Sequence, residues 1–76
     1  MKLCKYEIIG TVKEKNDNNG ISLYIEGKDN KIYYPQIEQD DIVLASGARV
    51  QVCYDAVNTL ADNNLRIRIN DVVYLP

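Results

Sequence analysis

Apolar and polar residues alternate along several short segments of this chain, and that alternation restricts the fold more than any other feature of the sequence. The strictest cases have apolar members at Val50, Val52 and Tyr54, and at Leu65, Ile67 and Ile69. Successive residues of a β-strand point to opposite faces, so each segment predicts a strand with one face in a core and the other in solvent. With 76 residues, 46% of them hydrophobic, the chain is predicted to form one small all-β domain over residues 1–76.

The first predicted strand, residues 3–15, has a glycine in its middle. Tyr6, Ile8 and Val12 share one face of it, with Glu7, Thr11 and Lys13 on the other, while Gly10 interrupts the alternation. An isolated glycine in a strand indicates a bulge or bend, which allows one long strand to serve two sides of a small barrel. The sequence Asn-Asp-Asn-Asn-Gly at residues 16–20 then predicts a tight turn.

The second predicted strand, residues 21–27, alternates cleanly. Ile21, Leu23 and Ile25 lie on its inward face and Tyr24 lies on its outward face. Residues 27–30 have the composition of a turn, so the following segment is predicted to return beside this strand as a hairpin.

The returning strand, residues 31–34, contains two adjacent tyrosines that must point to opposite faces. We match Ile32 to the inward set of the preceding strand, which predicts Tyr34 inward and Tyr33 outward together with Lys31. Pro35 ends the pairing because it has no N–H to donate.

Residues 36–47 are the least regular part and predict a single helical turn or a packed loop. Their acidic residues are Glu38, Asp40 and Asp41, which lack the ordered spacing of a Ca²⁺ site and are interpreted as solvated surface.

Five main strands are expected in all, followed by a short terminal strand at residues 72–75. Because so short a chain cannot cover both faces of an open sheet, we predict a small antiparallel barrel of five or six strands, OB-like, with an SH3-like barrel as the alternative.

Several short motifs resemble a known family. They are Gly10-Thr11-Val12, Tyr34-Pro35, Gly47 with Arg49-Val50-Gln51-Val52, and Ile67-Arg68-Ile69-Asn70. In this order they resemble the N-terminal OB-like domain of the NigD-like proteins of Bacteroidetes, which are small envelope-associated lipoproteins. The resemblance spans nearly all of the chain and implies a cell-envelope location if the chain is the mature part of such a protein. If the chain is complete, we expect it in the cytoplasm.

The composition argues against most catalytic chemistry. The chain has no histidine, so the commonest general base and the usual partner of a Ser or Cys nucleophile are missing. It contains neither a P-loop nor a dinucleotide-binding fingerprint. We therefore predict no enzyme activity, no catalytic residue and no cofactor. No apolar run approaches the ~20 residues of a membrane-spanning helix.

The two cysteines, Cys4 and Cys53, allow one disulfide at most. Without histidine they cannot complete a four-ligand zinc site built from Cys and His, so no metal site is predicted. The favoured interpretation is two free cysteines that act as small apolar residues, with a disulfide as the alternative.

The remaining candidate site is a surface on the predicted hairpin. Tyr24 and Tyr33 are both expected outward, as cross-strand neighbours that form a flat aromatic platform beside Lys31. Arg66 and Arg68 share an outward face and extend the positive charge. We predict a non-catalytic module that binds a protein partner through this face or through a sheet edge.

Two other interpretations of the same residues stay open. Aromatic rings with nearby cations are typical of single-stranded nucleic-acid binding, although the net charge of −2 works against it. Alternatively, the tyrosines only stabilise the hairpin and the arginines are solvated charges.

Overall fold

The computed structural model describes residues 4–18, 20–36 and 44–76. In these residues the chain forms five strands: β1 (Tyr6–Asp17), β2 (Gly20–Gly27), β3 (Ile32–Pro35), β4 (Arg49–Thr59) and β5 (Asn64–Tyr74). A short 3-10 turn, Ala61–Asn63, links β4 to β5. The strands close into a barrel in the order β1-β2-β3-β5-β4. The predicted small all-β barrel of the OB-like or SH3-like kind is confirmed.

Two details differ from the sequence prediction. The pairing of β3 with β5 is parallel, while the other strand pairs are antiparallel. The segments predicted as a fifth strand and a separate terminal strand are continuous, since β5 runs from Asn64 to Tyr74. Residues 37–43, with the acidic group Glu38, Asp40 and Asp41, lie outside the described residues.

Strand β1 is shared between two sides of the barrel, as its central glycine predicts. Residues 6–11 pair with β4 and residues 10–17 pair with β2, so Gly10 belongs to both ladders. A Cβ atom at Gly10 would lie 2.5 Å from the carbonyl oxygen of Glu26, closer than any side chain tolerates. The glycine is therefore required where β1 bends against β2.

The core consists of side chains from all five strands. Its buried members are Val12, Ile25, Tyr33, Val50, Val52, Tyr54, Ile67 and Ile69. The inward faces predicted for β4 and for the first half of β5 are thus confirmed. The inward prediction is wrong for Ile21, which is 66% exposed. Residues 20–24 of β2 pair with β1 alone; Leu23 still packs against the core, but Ile21, nearer the turn, lies beyond it.

The two adjacent tyrosines have the opposite orientation to the one predicted. In the ladder between β2 and β3, Ile25 lies opposite Tyr33. Directly opposed residues project from the same face of a sheet, and Ile25 is fully buried. Tyr33 therefore lies in the core, with 2% of its surface exposed, and Tyr34 faces outward. Alternation requires the two rings to point apart, but a shift of one residue in the register exchanges their faces.

Cys4 and Cys53 form a disulfide, and their Cα atoms are 5.2 Å apart. The favoured prediction of two free cysteines is wrong, and the alternative is what the structure contains. Cys53 lies on the outer face of β4 between buried Val52 and Tyr54, which excludes it from the core. The pairing of β1 with β4 brings Cys4 to this face, although the two cysteines are 49 positions apart in the sequence.

Candidate functional site

One row of outward side chains crosses four neighbouring strands of the barrel. It contains Lys13 on β1, Tyr24 on β2, Tyr34 on β3 and Arg66 on β5, which together we call the tyrosine row. The ladders place Lys13 opposite Tyr24 and Tyr34 opposite Arg66. The rings of Tyr24 and Tyr34 complete the row, with centroids 5.8 Å apart.

The two rings of the tyrosine row form a tilted pair on the outer surface. Their planes meet at 44°, and both residues are half-buried, so each ring keeps part of its surface in solvent. The centroid distance falls within the range of favourable aromatic pairs. This pair occupies the place where an aromatic platform was predicted, with Tyr34 in the position assigned to Tyr33.

A cation lies at each end of the pair. Arg66 Nη1 donates a hydrogen bond of 3.3 Å to the carbonyl oxygen of Pro35, which fixes the guanidinium beside Tyr34. Lys13 Nζ lies 3.9 Å from Glu26 Oε1, and the two side chains of this ion pair are about half exposed. Exposed pairs of this kind are weak, so the Lys13 ammonium stays accessible to a ligand.

The other two predicted cations lie outside the tyrosine row. Lys31 is exposed in the turn before β3, where its backbone N–H donates to Asp29 Oδ1 over 3.1 Å. Arg68 follows Arg66 on the outer face of β5, but its Nε donates to Asp55 Oδ1 over 2.8 Å. The hydrogen bond from Arg68, helped by one from Asn70, lowers the pKa of Asp55 below its ordinary value. Arg68 is thus engaged in an ion pair within the chain.

Tyr33 belongs to a second, internal aromatic pair. Its ring centroid is 5.7 Å from that of Tyr54, at an angle of 55°. The Tyr33 hydroxyl donates a 2.5 Å hydrogen bond to Asp29 Oδ2 in the β2–β3 turn. Burial, and secondarily this hydrogen bond, raise the pKa of Tyr33 far above its ordinary value, and burial also raises the pKa of Tyr54. Tyr33, predicted as an outward binding residue, is therefore a buried residue that stabilises the core.

Two members of the tyrosine row, Tyr34 and Lys13, were not among the site residues predicted from sequence. Alternation places Lys13 outward on the first strand, but only the ladder shows that it faces Tyr24. The outward orientation of Tyr34 depends on the register between β2 and β3. Strand β3 has only four residues and ends in proline, so its sequence pattern does not determine that register.

A different group of side chains has metal-ligating chemistry. Within the described part of the chain, Cys4, Glu7 and Cys53 are the one set of three such residues, and their ligand atoms lie within 4.8 Å of one another. Both sulfur atoms are joined in the disulfide.

No helix in residues 4–18, 20–36 or 44–76 is long and apolar enough to cross a membrane.

No family model, no curated protein and no solved structure matches this chain. The resemblance to the NigD-like domain therefore stays a prediction from the motifs.

Proposed function

We propose that the protein is a non-catalytic binding module that contacts a protein partner through the tyrosine row. The observation that carries this proposal is the pair of half-exposed rings, 5.8 Å apart, with Lys13 and Arg66 at its ends. Tyrosine and arginine are among the residue types that dominate the binding energy of protein interfaces. The Pro35 carbonyl holds Arg66 in place, which lowers the entropy lost when a partner binds.

The exposed end of β2 supports the same proposal. Residues 20–24 pair with β1 on one side, and in the described ladders they have no partner on the other. A strand edge of this kind can accept an extended segment from another protein. Tyr24 belongs to both the edge and the tyrosine row, so a segment added along β2 brings its side chains onto the rings. Exposed Ile21 offers a further apolar contact at the tip.

Site-specific photocrosslinking tests this proposal. A photoreactive phenylalanine analogue at position 24 should crosslink one protein from cells that naturally make the chain, and the same analogue at position 6 should not. The captured protein is then purified and titrated against variants. We expect Tyr24→Ala and Tyr34→Ala each to weaken binding by roughly 30-fold, the effect of an interface hot spot. Tyr6→Ala, which removes a 45% exposed tyrosine that stacks on Tyr54 outside the tyrosine row, is the control.

Folded Tyr24→Ala and Tyr34→Ala variants that bind the captured protein as tightly as the unchanged chain would exclude the tyrosine row. Circular dichroism and thermal unfolding establish that the variants are folded. Retained binding with a β2 variant such as Ile21→Pro would exclude the edge separately, because proline removes a backbone donor and fixes φ.

A second candidate ligand is single-stranded nucleic acid, and the composition of the tyrosine row favours it. Two adjacent rings can stack bases while Lys13 and Arg66 contact the phosphates on either side. The outer surface of strands 2 and 3 is also where OB-folds bind oligonucleotides. The local positive charge of the row is opposed by the net charge of −2 of the chain, which is why we rank this candidate second.

Fluorescence anisotropy separates the two candidates. Labelled single-stranded DNA and RNA are titrated with the protein at low and moderate salt. Nucleic-acid binding predicts an affinity that falls with salt, a loss with Tyr24→Ala plus Tyr34→Ala, and a salt slope reduced by about 1 in Lys13→Ala. Absence of binding at low ionic strength excludes this candidate and leaves the protein partner.

For localisation we propose the cell envelope, as the NigD-like resemblance implies. The Cys4–Cys53 disulfide supports this, since disulfides persist mainly in oxidising compartments. Cell fractionation followed by thiol labelling under denaturing conditions tests it. Recovery of the protein in the cytoplasmic fraction with both thiols reactive contradicts this location.

A further inference from the structure

The disulfide lies on the outer surface of the barrel, well away from the tyrosine row. Cys4 lies two residues before the start of β1, Glu7 lies in β1, and Cys53 lies directly opposite Glu7 on β4. Glu7 and Lys13 are six residues apart on the same strand, or about 20 Å. The cluster is accessible, because Cys4 and Glu7 are exposed and Cys53 is half-buried.

We propose that Cys4, Cys53 and Glu7 form a zinc site when the disulfide is reduced. Their three ligand atoms lie within 4.8 Å of one another. In a tetrahedral zinc site with Zn–S bonds of about 2.3 Å, two sulfur ligands are separated by about 3.8 Å. Breaking the S–S bond lets the sulfurs separate to that distance with little backbone movement, since the two Cα atoms are only 5.2 Å apart. The site then offers two thiolates and one carboxylate, and a water molecule supplies the fourth ligand.

The charge around Cys53 favours a cation. Glu7 is its opposite neighbour on β1 and Asp71 its opposite neighbour on β5. Two carboxylates therefore flank this cysteine on the outer face of the sheet. Cys and His alone cannot complete a zinc site in this chain, but the pairing of β1 with β4 brings the Glu7 carboxylate to the cysteines.

The two states of the cluster exclude each other. The disulfide accepts two electrons and two protons from a dithiol reductant, which is itself oxidised to a disulfide, and the S–S bond becomes two thiols. Zinc then displaces the two thiol protons and binds the thiolates. In the oxidised state each sulfur is bonded to the other, so no thiolate is present. Both states connect the start of the chain to β4, and the redox state decides whether a covalent bond or a metal makes that connection.

Cobalt spectroscopy on the full chain tests the proposal. The protein is reduced with a phosphine under anaerobic conditions and titrated with Co²⁺ alone. We expect one equivalent to bind, with thiolate-to-cobalt charge-transfer absorption and the visible bands of a tetrahedral site, all lost when Zn²⁺ is added. The disulfide form should show none of these bands. A reduced, folded chain without the bands, or equal Co²⁺ affinity in both forms, overturns the proposal.

Matched variants separate a built site from general binding to thiols. Cys53→Ser should abolish the charge-transfer absorption. Glu7→Gln should weaken Zn²⁺ binding at least about tenfold. Loss of a residue that only hydrogen-bonds to a metal ligand already lowers metal affinity by that much. Glu14→Gln, which changes another exposed acid of β1, should leave the affinity unchanged. Equal affinities in the Glu7→Gln and Glu14→Gln variants overturn the three-residue site.

Reduction alone can unfold a small domain, so circular dichroism accompanies the titration. If the reduced chain loses its strand signal, one equivalent of Zn²⁺ should restore it, because metal binding is then coupled to folding. If the reduced chain stays folded, Zn²⁺ should raise its midpoint of thermal unfolding. An unfolded reduced chain that Zn²⁺ does not refold contradicts the proposal.

Discussion

Two tyrosine pairs on opposite sides of the barrel wall have similar ring geometry, and a third pair joins Tyr6, the first residue of β1, to Tyr54. The inner pair, Tyr33 and Tyr54, has ring centroids 5.7 Å apart, and the outer pair, Tyr24 and Tyr34, has centroids 5.8 Å apart. Both members of the inner pair are buried and both members of the outer pair are half-exposed. Tyr33 and Tyr34 are neighbours in the chain yet belong to different pairs. Ring geometry therefore says little about role, and burial separates a structural pair from a surface that can bind.

Alanine substitution at these adjacent positions should give the largest contrast. Tyr33→Ala removes a ring from the core and should lower the free energy of unfolding by about 3–5 kcal/mol. Tyr34→Ala removes one cross-strand contact and should cost about 1 kcal/mol. Urea denaturation followed by circular dichroism measures both. Equal losses of unfolding free energy in the two variants would contradict the assignment of Tyr33 to the core and Tyr34 to the surface.

Removal of the hydroxyl groups tests a finer difference. Tyr33→Phe loses the hydrogen bond to Asp29 Oδ2 and should cost about 1 kcal/mol of stability. Tyr34→Phe, the matched control, should leave stability unchanged.

A double-mutant cycle with Asp29→Ala assigns the cost of Tyr33→Phe. If the hydrogen bond is responsible, Tyr33→Phe should have no further effect once Asp29 is replaced. Strictly additive losses would show that the cost of Tyr33→Phe does not come from its hydrogen bond to Asp29.

Alkaline pH should destabilise the inner pair. The folded chain raises the pKa of Tyr33 above its ordinary 10.0, so the protonated form is favoured in the folded state. The stabilisation is complete below pH 10 and is lost as the pH rises above that value, because Tyr33 then ionises on unfolding. Urea midpoints measured from pH 8 to 12 should fall more steeply for the unchanged chain than for Tyr33→Phe. Parallel curves would contradict the assignment to Tyr33.

The sequence predicts the barrel better than it predicts the site. Alternation identifies the buried residues of β4 and β5, and Gly10 marks the bend of β1, because both signals are local. The orientation of Tyr33 and Tyr34 depends on how β3 aligns with its neighbours, and a strand of four residues carries too little pattern to decide that. The tyrosine row and the disulfide both arise from ladders between distant segments, so neither appears as a motif along the chain.

The smallest expected effect on stability comes from the ion pair between Asp55 and Arg68, a short contact on the outer face. The pKa of Asp55 is lowered from its ordinary 3.8, first by the hydrogen bond from Arg68, so the pair stabilises the fold above that pH. The stabilisation is lost as the pH falls through the lowered value. Since both side chains are solvated, Arg68→Ala should change stability less than Tyr33→Phe does.

A pH titration of the Asp55 side-chain carbon by NMR measures this contact directly. In Arg68→Ala the pKa of Asp55 should rise toward 3.8, and only in part, because Asn70 also holds the carboxylate. An unchanged pKa would show that the 2.8 Å contact does not persist in solution. A large loss of stability would show that the outer wall contributes more than its exposure implies. Either result would weaken the division between an inner face that holds the fold and an outer face left available for binding.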